Sequence, residues 1–251
     1  MKISISVVSH GQSELVKPLL ADLAVLADGY DLEVIVTNNI PDTPVENLPP
    51  GLLGSIITNS TPLGFGENHN NALRGAVGEI FCILNPDIRI YEDPFPVLLE
   101  QVSNSAVGLA APAILSPDGE VEDSARCFPT PTELVWRFLG LQKAKYAYTK
   151  GDAPIEVDFL AGMFLVTTGA AFKQLGGFDE RYFLYYEDVD LSARFWRAGY
   201  RVMLCPSASA IHAARRDSRS NLRYLRWHLE SSALYFVRWW LRSPRRSPRK
   251  A

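Results

Sequence analysis

Cysteine is scarce and unpatterned. The 251 residues hold three, Cys82, Cys127 and Cys205, an odd number without metal-ligand spacing, which speaks against a disulfide framework and a cysteine-based zinc site. Cys82 and Cys205 lie in apolar runs and read as small core side chains, so a reducing compartment is expected. Long hydrophobic runs are missing too, and nothing reaches the roughly 18 apolar residues of a membrane-spanning helix. Met1 to Val8 carry one basic side chain and no extended apolar core, which fits a first strand rather than a signal peptide. No glycine-rich loop ends in Gly-Lys-Ser/Thr, and no dinucleotide fingerprint is present.

What the chain has is a core and a charge asymmetry. Apolar residues make up 47% and charged residues 21%, ordinary for a globular domain. From His212 onward there are 11 Lys and Arg against 2 Asp and Glu, a net +9; the preceding 211 residues hold 14 against 26, a net −12. An acidic body is a poor nucleic-acid binder, and a basic tail seeks an anionic surface.

Hydrophobic period predicts strands at Ile3–Ser9, Leu32–Thr37, Ser55–Thr58, Ile80–Leu84, Val107–Ile114, Val157–Thr167 (interrupted by Ala161-Gly162) and Arg201–Cys205. Helical spacing falls at Glu14–Ala27, Glu67–Ala76, Pro94–Ser103, Thr132–Leu139, Ala170–Leu175 and Glu187–Ala198. Strands alternating with helices predict an α/β fold with a mainly parallel, Rossmann-like central sheet. Ser116-Pro117-Asp118-Gly119 reads as a turn, with Pro presetting φ and Gly supplying φ > 0. The expected divisions are a catalytic domain over 1–214, a basic amphipathic helical segment over 215–242 and a disordered basic tail over 243–251.

Three segments carry chemistry. Asn85-Pro86-Asp87 follows the apolar run Ile80–Leu84, and ligands of open parallel sheets bind at the carboxyl ends of strands; Asp87 there can hold a hard cation. Leu63-Gly64-Phe65-Gly66-Glu67-Asn68 opens a helix, its glycines suiting close backbone approach and its amides an anion. Tyr185-Tyr186-Glu187-Asp188-Val189-Asp190 starts another helix, whose dipole favours carboxylates and would lower their pKa, leaving a base available. Each alone also fits an ordinary turn, loop or helix start.

In order, Ile5-Ser6-Val7-Val8-Ser9-His10, Leu63–Asn70, Asn85-Pro86-Asp87, Gly176-Gly177-Phe178-Asp179-Glu180 and Phe183–Leu191 resemble family 2 glycosyltransferases, in particular the rhamnosyltransferase-like branch. The resemblance implies a GT-A fold and an inverting transfer from a nucleotide-diphosphate sugar, with Mg²⁺ or Mn²⁺ as cofactor. It implies Asp87 and His212 as metal ligands, Asp188 as catalytic base with Glu187 beside it, and Ala161, Gly162 and Met163 facing donor sugar and acceptor. Ser9, His10, Asn38, Gly64, Phe65, Gly66, Asn68 and Asn85 join Asp87 around the donor. Asn38 stands where the family places a base-reading aspartate, and its amide oxygen can accept an N3–H from uracil or thymine. The implied partners are dTDP-rhamnose and a cell-surface or lipid-linked glycan acceptor. Two other readings are a degenerate nucleotide-sugar-binding subunit and a nucleotidyltransferase; the latter lacks its basic glycine loop after the first strand.

Between Leu222 and Leu241 an apolar face is expected at Leu222, Leu225, Leu229, Ala233, Phe236 and Trp240, with arginines around it. Such a helix either packs on the domain or lies on an anionic membrane. The expected location is cytoplasmic, peripheral at the inner face of the cell membrane.

Overall fold

The computed structural model describes residues 1–40, 42–130, 146–213 and 222–239. The helix expected at Thr132–Leu139 and the tail from 240 lie outside them. Four strands, β1 (Lys2–Ser9), β2 (Asp31–Asn38), β3 (Gly54–Thr58) and β4 (Ile80–Leu84), pair in parallel in the order β3-β2-β1-β4. Their crossovers include α1 (Ser13–Leu26) and α2 (Phe65–Gly75). β4 is buried along its whole length because both faces are covered. Ile80, Cys82 and Leu84 join one core cluster, and Phe81 and Ile83 join the other. Cys82 and Cys205 are buried free thiols, as expected of core side chains.

Beyond β4 the sheet becomes mixed. After β5 (Ile88–Arg89) and α3 (Phe95–Ser103) come β6 (Val107–Leu115), β7 (Ala125–Arg126), β8 (Ile155–Glu156), β9 (Phe159–Leu160) and β10 (Phe164–Thr168). β10 runs antiparallel to β4 and β6, so the mainly parallel sheet expected is parallel throughout only in its first four strands. The run Val157–Thr167 divides at the expected Ala161-Gly162 interruption into β9 and β10, and β9 pairs with β7 in a separate two-stranded sheet. α4 (Gly169–Gln174) and α5 (Glu187–Arg197) precede β11 (Arg201–His212). β11 continues seven residues past the expected Cys205, because a bulge between Cys205 and Ser209 absorbs Pro206. That extension carries His212 to the site.

The last helix, α6 (Leu222–Trp239), is no separate appendage. Tyr235 and Trp239 are buried in the core cluster shared by α2, α4 and α5. Trp239 Nε1 donates to Asp190 Oδ1 at 3.2 Å, Arg194 Nε donates to Asp190 Oδ2 at 2.7 Å, and Arg238 reaches both Asp190 and Asp179. Ser231 Oγ donates to the Leu184 carbonyl at 2.8 Å, and Trp227 stacks on Phe183 with centroids 4.7 Å apart. The helix thus packs by a face of Ser231, Ser232, Tyr235 and Trp239, not by the one its Leu spacing predicts. Leu225, Leu229 and Val237 stay 56%, 59% and 78% exposed. Among the described residues no helix is long and apolar enough to cross a membrane.

Asp190 has no exposed surface and anchors α5 to α6. Removing it leaves Arg194 and Arg238 without their shared carboxylate, so Asp190→Ala should lower unfolding free energy by about 3–5 kcal/mol. Urea denaturation followed by tryptophan fluorescence checks this; a loss below about 1 kcal/mol would contradict the anchoring role.

Candidate active site

The chain end of β4 and the chain end of β11 meet through β5. Ile88 pairs with His212, and Ala213 N–H donates to the Asp87 carbonyl at 2.9 Å. This sets His212 Nε2 3.2 Å from Asp87 Oδ2, while His212 Nδ1 lies 2.8 Å from Glu122 Oε2. Burial lowers the imidazole pKa, but hydrogen bonds and charge from Asp87 and Glu122 outweigh it and lift it to about 8. Asp87 Oδ1 is buried with no hydrogen-bond partner, an arrangement that normally calls for a water or an ion. Two donors at right angles, each about 2.1 Å from one octahedral cation, lie roughly 3 Å apart. Asp87 and His212 fit that spacing as a two-residue share of a cation site. Among the described residues no group of three or more metal-ligating side chains is assembled, so phosphates and water would complete the shell.

The expected base sits across a short bridge. Asn85 N–H donates to the Met163 carbonyl at 2.9 Å, and Gly162 N–H donates to Asp188 Oδ2 at 3.0 Å. The break between β9 and β10 therefore ties the Asn85–Asp87 segment to the carboxylate at the start of α5. Gly162 eases this approach, because a Cβ would press on the Phe65 ring at 3.3 Å. Asp188 Oδ1 also accepts from Val189 N–H at 2.8 Å. Glu187 is buried beside it, with Oε2 lacking a partner.

Both carboxyl groups behave contrary to the helix-dipole expectation. Burial pushes Glu187 well above the usual carboxylate range, and the neighbouring Asp188 charge pushes further. Burial also raises Asp188, against the opposing amides of Gly162 and Val189 and the Arg126 charge. Desolvation of a charged form exceeds the dipole of one helix turn. A raised pKa suits a proton acceptor working near neutrality.

The loop over Asn59–Gly66 is organised by side-chain amides. Asn39 Oδ1 accepts from Leu63 N–H at 2.8 Å and from Asn59 Nδ2 at 2.9 Å; Asn59 also donates to Asn68 Oδ1 at 2.7 Å. Asn68 Nδ2 donates back to the Gly64 carbonyl at 2.8 Å. Asn68 is thus fully buried and holds the loop rather than facing a ligand. Gly64 and Gly66 allow close approach, but to protein: a Cβ at Gly64 would lie 3.0 Å from the Phe183 carbonyl, and one at Gly66 would lie 2.5 Å from Phe178 Cβ. Phe65 packs against His69 and Phe178. Asn70 seals the same junction, donating to the Phe178 carbonyl at 2.9 Å and accepting from its N–H at 2.8 Å.

Asn38 does not present the free amide expected of a base reader. Its Oδ1 accepts from Val45 N–H at 2.9 Å and its Nδ2 donates to the Val45 carbonyl at 3.0 Å, with 1% of the residue exposed. It fixes the loop after β2 instead. Ser9 is buried, its Oγ accepting from Gln12 N–H at 3.1 Å; His10 is exposed, with Nδ1 3.1 Å from Asn39 Nδ2. Sequence reasoning missed Asn39, Asn59 and Glu122. Asn39 follows Asn38 directly and offered a signal; Glu122 lies outside every recognised motif, and only the Ser116–Gly119 turn ahead of it hints that the chain folds back.

No family model matches the chain. It is 30% identical over 247 residues to the rhamnosyltransferase WbbL of Escherichia coli, covering 94% of this chain and 93% of that protein. It is 33% identical over 202 residues to the N-acetylglucosaminyl-diphospho-decaprenol L-rhamnosyltransferase of Mycobacterium tuberculosis, covering 75% of this chain and 66% of that one. Among solved structures, GalNAc-T7 with UDP, GalNAc and Mn²⁺ superposes with a TM-score of 0.66 at 17% identity, over 88% of this chain and 44% of that one. The mannosyltransferase PcManGT of Pyrobaculum calidifontis with GDP-Man and Mn²⁺ gives 0.63 at 18% identity, over 98% and 66%. These two carry the fold, and the first two carry the family: the chain belongs to the rhamnosyltransferase-like family 2 glycosyltransferases and is a glycosyltransferase of glycan precursors.

Proposed function

We propose that this enzyme transfers rhamnose from dTDP-rhamnose to a hydroxyl of a lipid-linked glycan precursor, with inversion at the anomeric carbon. The observation that carries the reading is the hydrogen-bonded path Asn85–Met163–Gly162–Asp188, which ties the diphosphate end of the site to its base. The names of the relatives support rhamnose as donor sugar and a diphosphate-linked lipid as acceptor. Asn38 and Asn39 act as the frame of the donor pocket, one fixing the loop after β2 and the other the loop before α2.

In this mechanism Asp87 and His212 would hold a divalent cation, Mg²⁺ or Mn²⁺, which would supply Lewis-acid neutralisation of a diphosphate leaving group. Ala161, Gly162 and Met163 form the wall between donor sugar and acceptor. Asp188 accepts the proton of the acceptor hydroxyl as its oxygen attacks the anomeric carbon from the face opposite the diphosphate. Burial and the Asp188 charge push the Glu187 pKa up, which favours its neutral form and lessens the negative charge beside the base.

Asp188→Asn should reduce transfer roughly 10²–10⁴-fold while leaving calorimetric dTDP binding with Mn²⁺ within a few-fold of wild type. The wild-type rate should fall with decreasing pH from above the ordinary aspartate range, since a base with a raised pKa is protonated sooner. Normal transfer by Asp188→Asn would remove Asp188 from the role.

The C-terminal helix supports a peripheral place on an anionic membrane. Leu225, Leu229 and Val237 face outward, Arg223 and Arg226 are exposed on the same helix, and each basic side chain near such a surface contributes about 1 kcal/mol. Sedimentation with phosphatidylglycerol vesicles should capture the protein, phosphatidylcholine vesicles should capture much less, and the double variant Leu225→Glu/Leu229→Glu should stay in the supernatant. Equal behaviour of wild type and variant would refute this placement.

A further inference from the structure

We propose that Glu122 is a positioning residue for the metal site, holding the His212 ring so that Nε2 is turned toward the Asp87 carboxylate. The inference rests on the reading of Asp87 and His212 as metal ligands. Glu122 Oε2 lies 2.8 Å from His212 Nδ1, and the opposite ring nitrogen lies 3.2 Å from Asp87 Oδ2. An ionised carboxylate only accepts hydrogen bonds, so the nitrogen facing Glu122 carries the proton. Nε2 faces Asp87 in the same way, and a cation bound there would take the place of its proton; with Nδ1–H kept on Glu122 the ring is then the tautomer a cation requires, since the second partner of a ligating histidine sets both tautomer and ring orientation. The vacancy in hydrogen bonding is at the same spot, the buried Asp87 Oδ1.

Glu122 is itself built into the fold. The Ser116–Gly119 turn, closed by Gly119 N–H to the Ser116 carbonyl at 2.9 Å, folds the chain back beside the end of β6. Leu115 then pairs with Val121 on one side and with Ile211 of β11 on the other. Glu122 N–H donates to the Ile114 carbonyl at 2.8 Å, and its own carbonyl accepts from Ser124 N–H at 2.9 Å. The carboxylate is therefore delivered to His212 by backbone pairing across two strand ends, not by a mobile surface side chain. Nothing in the transfer mechanism otherwise uses it.

The test is a double-mutant cycle read by Mn²⁺ affinity, with electron paramagnetic resonance of free Mn²⁺ and dTDP at fixed concentration. Glu122→Ala should weaken Mn²⁺ binding roughly 10–100-fold, His212→Ala at least as much, and the double variant no more than His212→Ala alone, because Glu122 acts through His212. Glu122→Leu, close in size and without an acceptor, completes the same cycle should the alanine variant not fold. Wild-type Mn²⁺ affinity in the Glu122 variants overturns the proposal. So do additive losses, which would make Glu122 a ligand in its own right or a general structural support. Unchanged affinity in His212→Ala would instead bring down the ligand reading itself, and this inference with it.

Discussion

Two consecutive tyrosines in the left-handed backbone region set the geometry of this site. Tyr185 and Tyr186 have φ of 71° and 66°, and Tyr186 is the residue that starts α5. A left-handed conformation costs an L-residue about 1–2 kcal/mol, so such a turn persists only where its surroundings fix it. Here the surroundings are α6: Tyr186 meets Tyr235 at 5.4 Å between centroids, and both tyrosines flank His228 at 5.4 Å. Aromatic pairs of this kind contribute about 0.5–1.5 kcal/mol each beyond area burial. The turn reverses the chain abruptly, so that Glu187 enters the interior while Asp188 meets the Gly162 amide. The C-terminal helix thereby braces the turn that leads into Glu187 and Asp188.

The same economy of elements appears at the other end of the site. β11 would stop at Cys205 without the bulge that absorbs Pro206; its last two residues pair with β5 and bring His212 to Asp87. The loop before α2 is held by an asparagine network rather than by ligands, giving the donor side a preformed wall. Acidic groups that matter are desolvated, and the positive charge of the chain is concentrated after His212.

Much of the fold could be read directly from period. β4 was marked by an unbroken apolar run, and its flanking helices and strands by spacing that survives in the structure to within a residue or two. The motif order was likewise legible, and two residues it singled out, Asp87 and His212, stand 3.2 Å apart. Roles that depend on where a side-chain amide points were not. Asn38 and Asn68 have the composition of ligand contacts, yet both are consumed by backbone partners, which only three-dimensional loop closure reveals. The glycines at 64 and 66 signalled close approach correctly but not its object, since Phe178 and Phe183 lie over 100 residues away. Of the apolar face expected along α6, Phe236 packs on the core while Leu225 and Leu229 stay exposed, because the aromatic residues find the complementary surface. The dipole reading of Glu187 and Asp188 failed because burial cannot be seen in a run of acidic letters.

A crystal structure of the chain with Mn²⁺ and dTDP, with the ion located by its anomalous signal, bears most directly on the joint use of these strand ends. The expected result is one Mn²⁺ bound by Asp87 and His212 Nε2, bridging to the diphosphate, with the open side of the nucleotide facing the Gly162–Asp188 contact. Mn²⁺ held away from Asp87, or a diphosphate whose open side points away from Asp188, would contradict it.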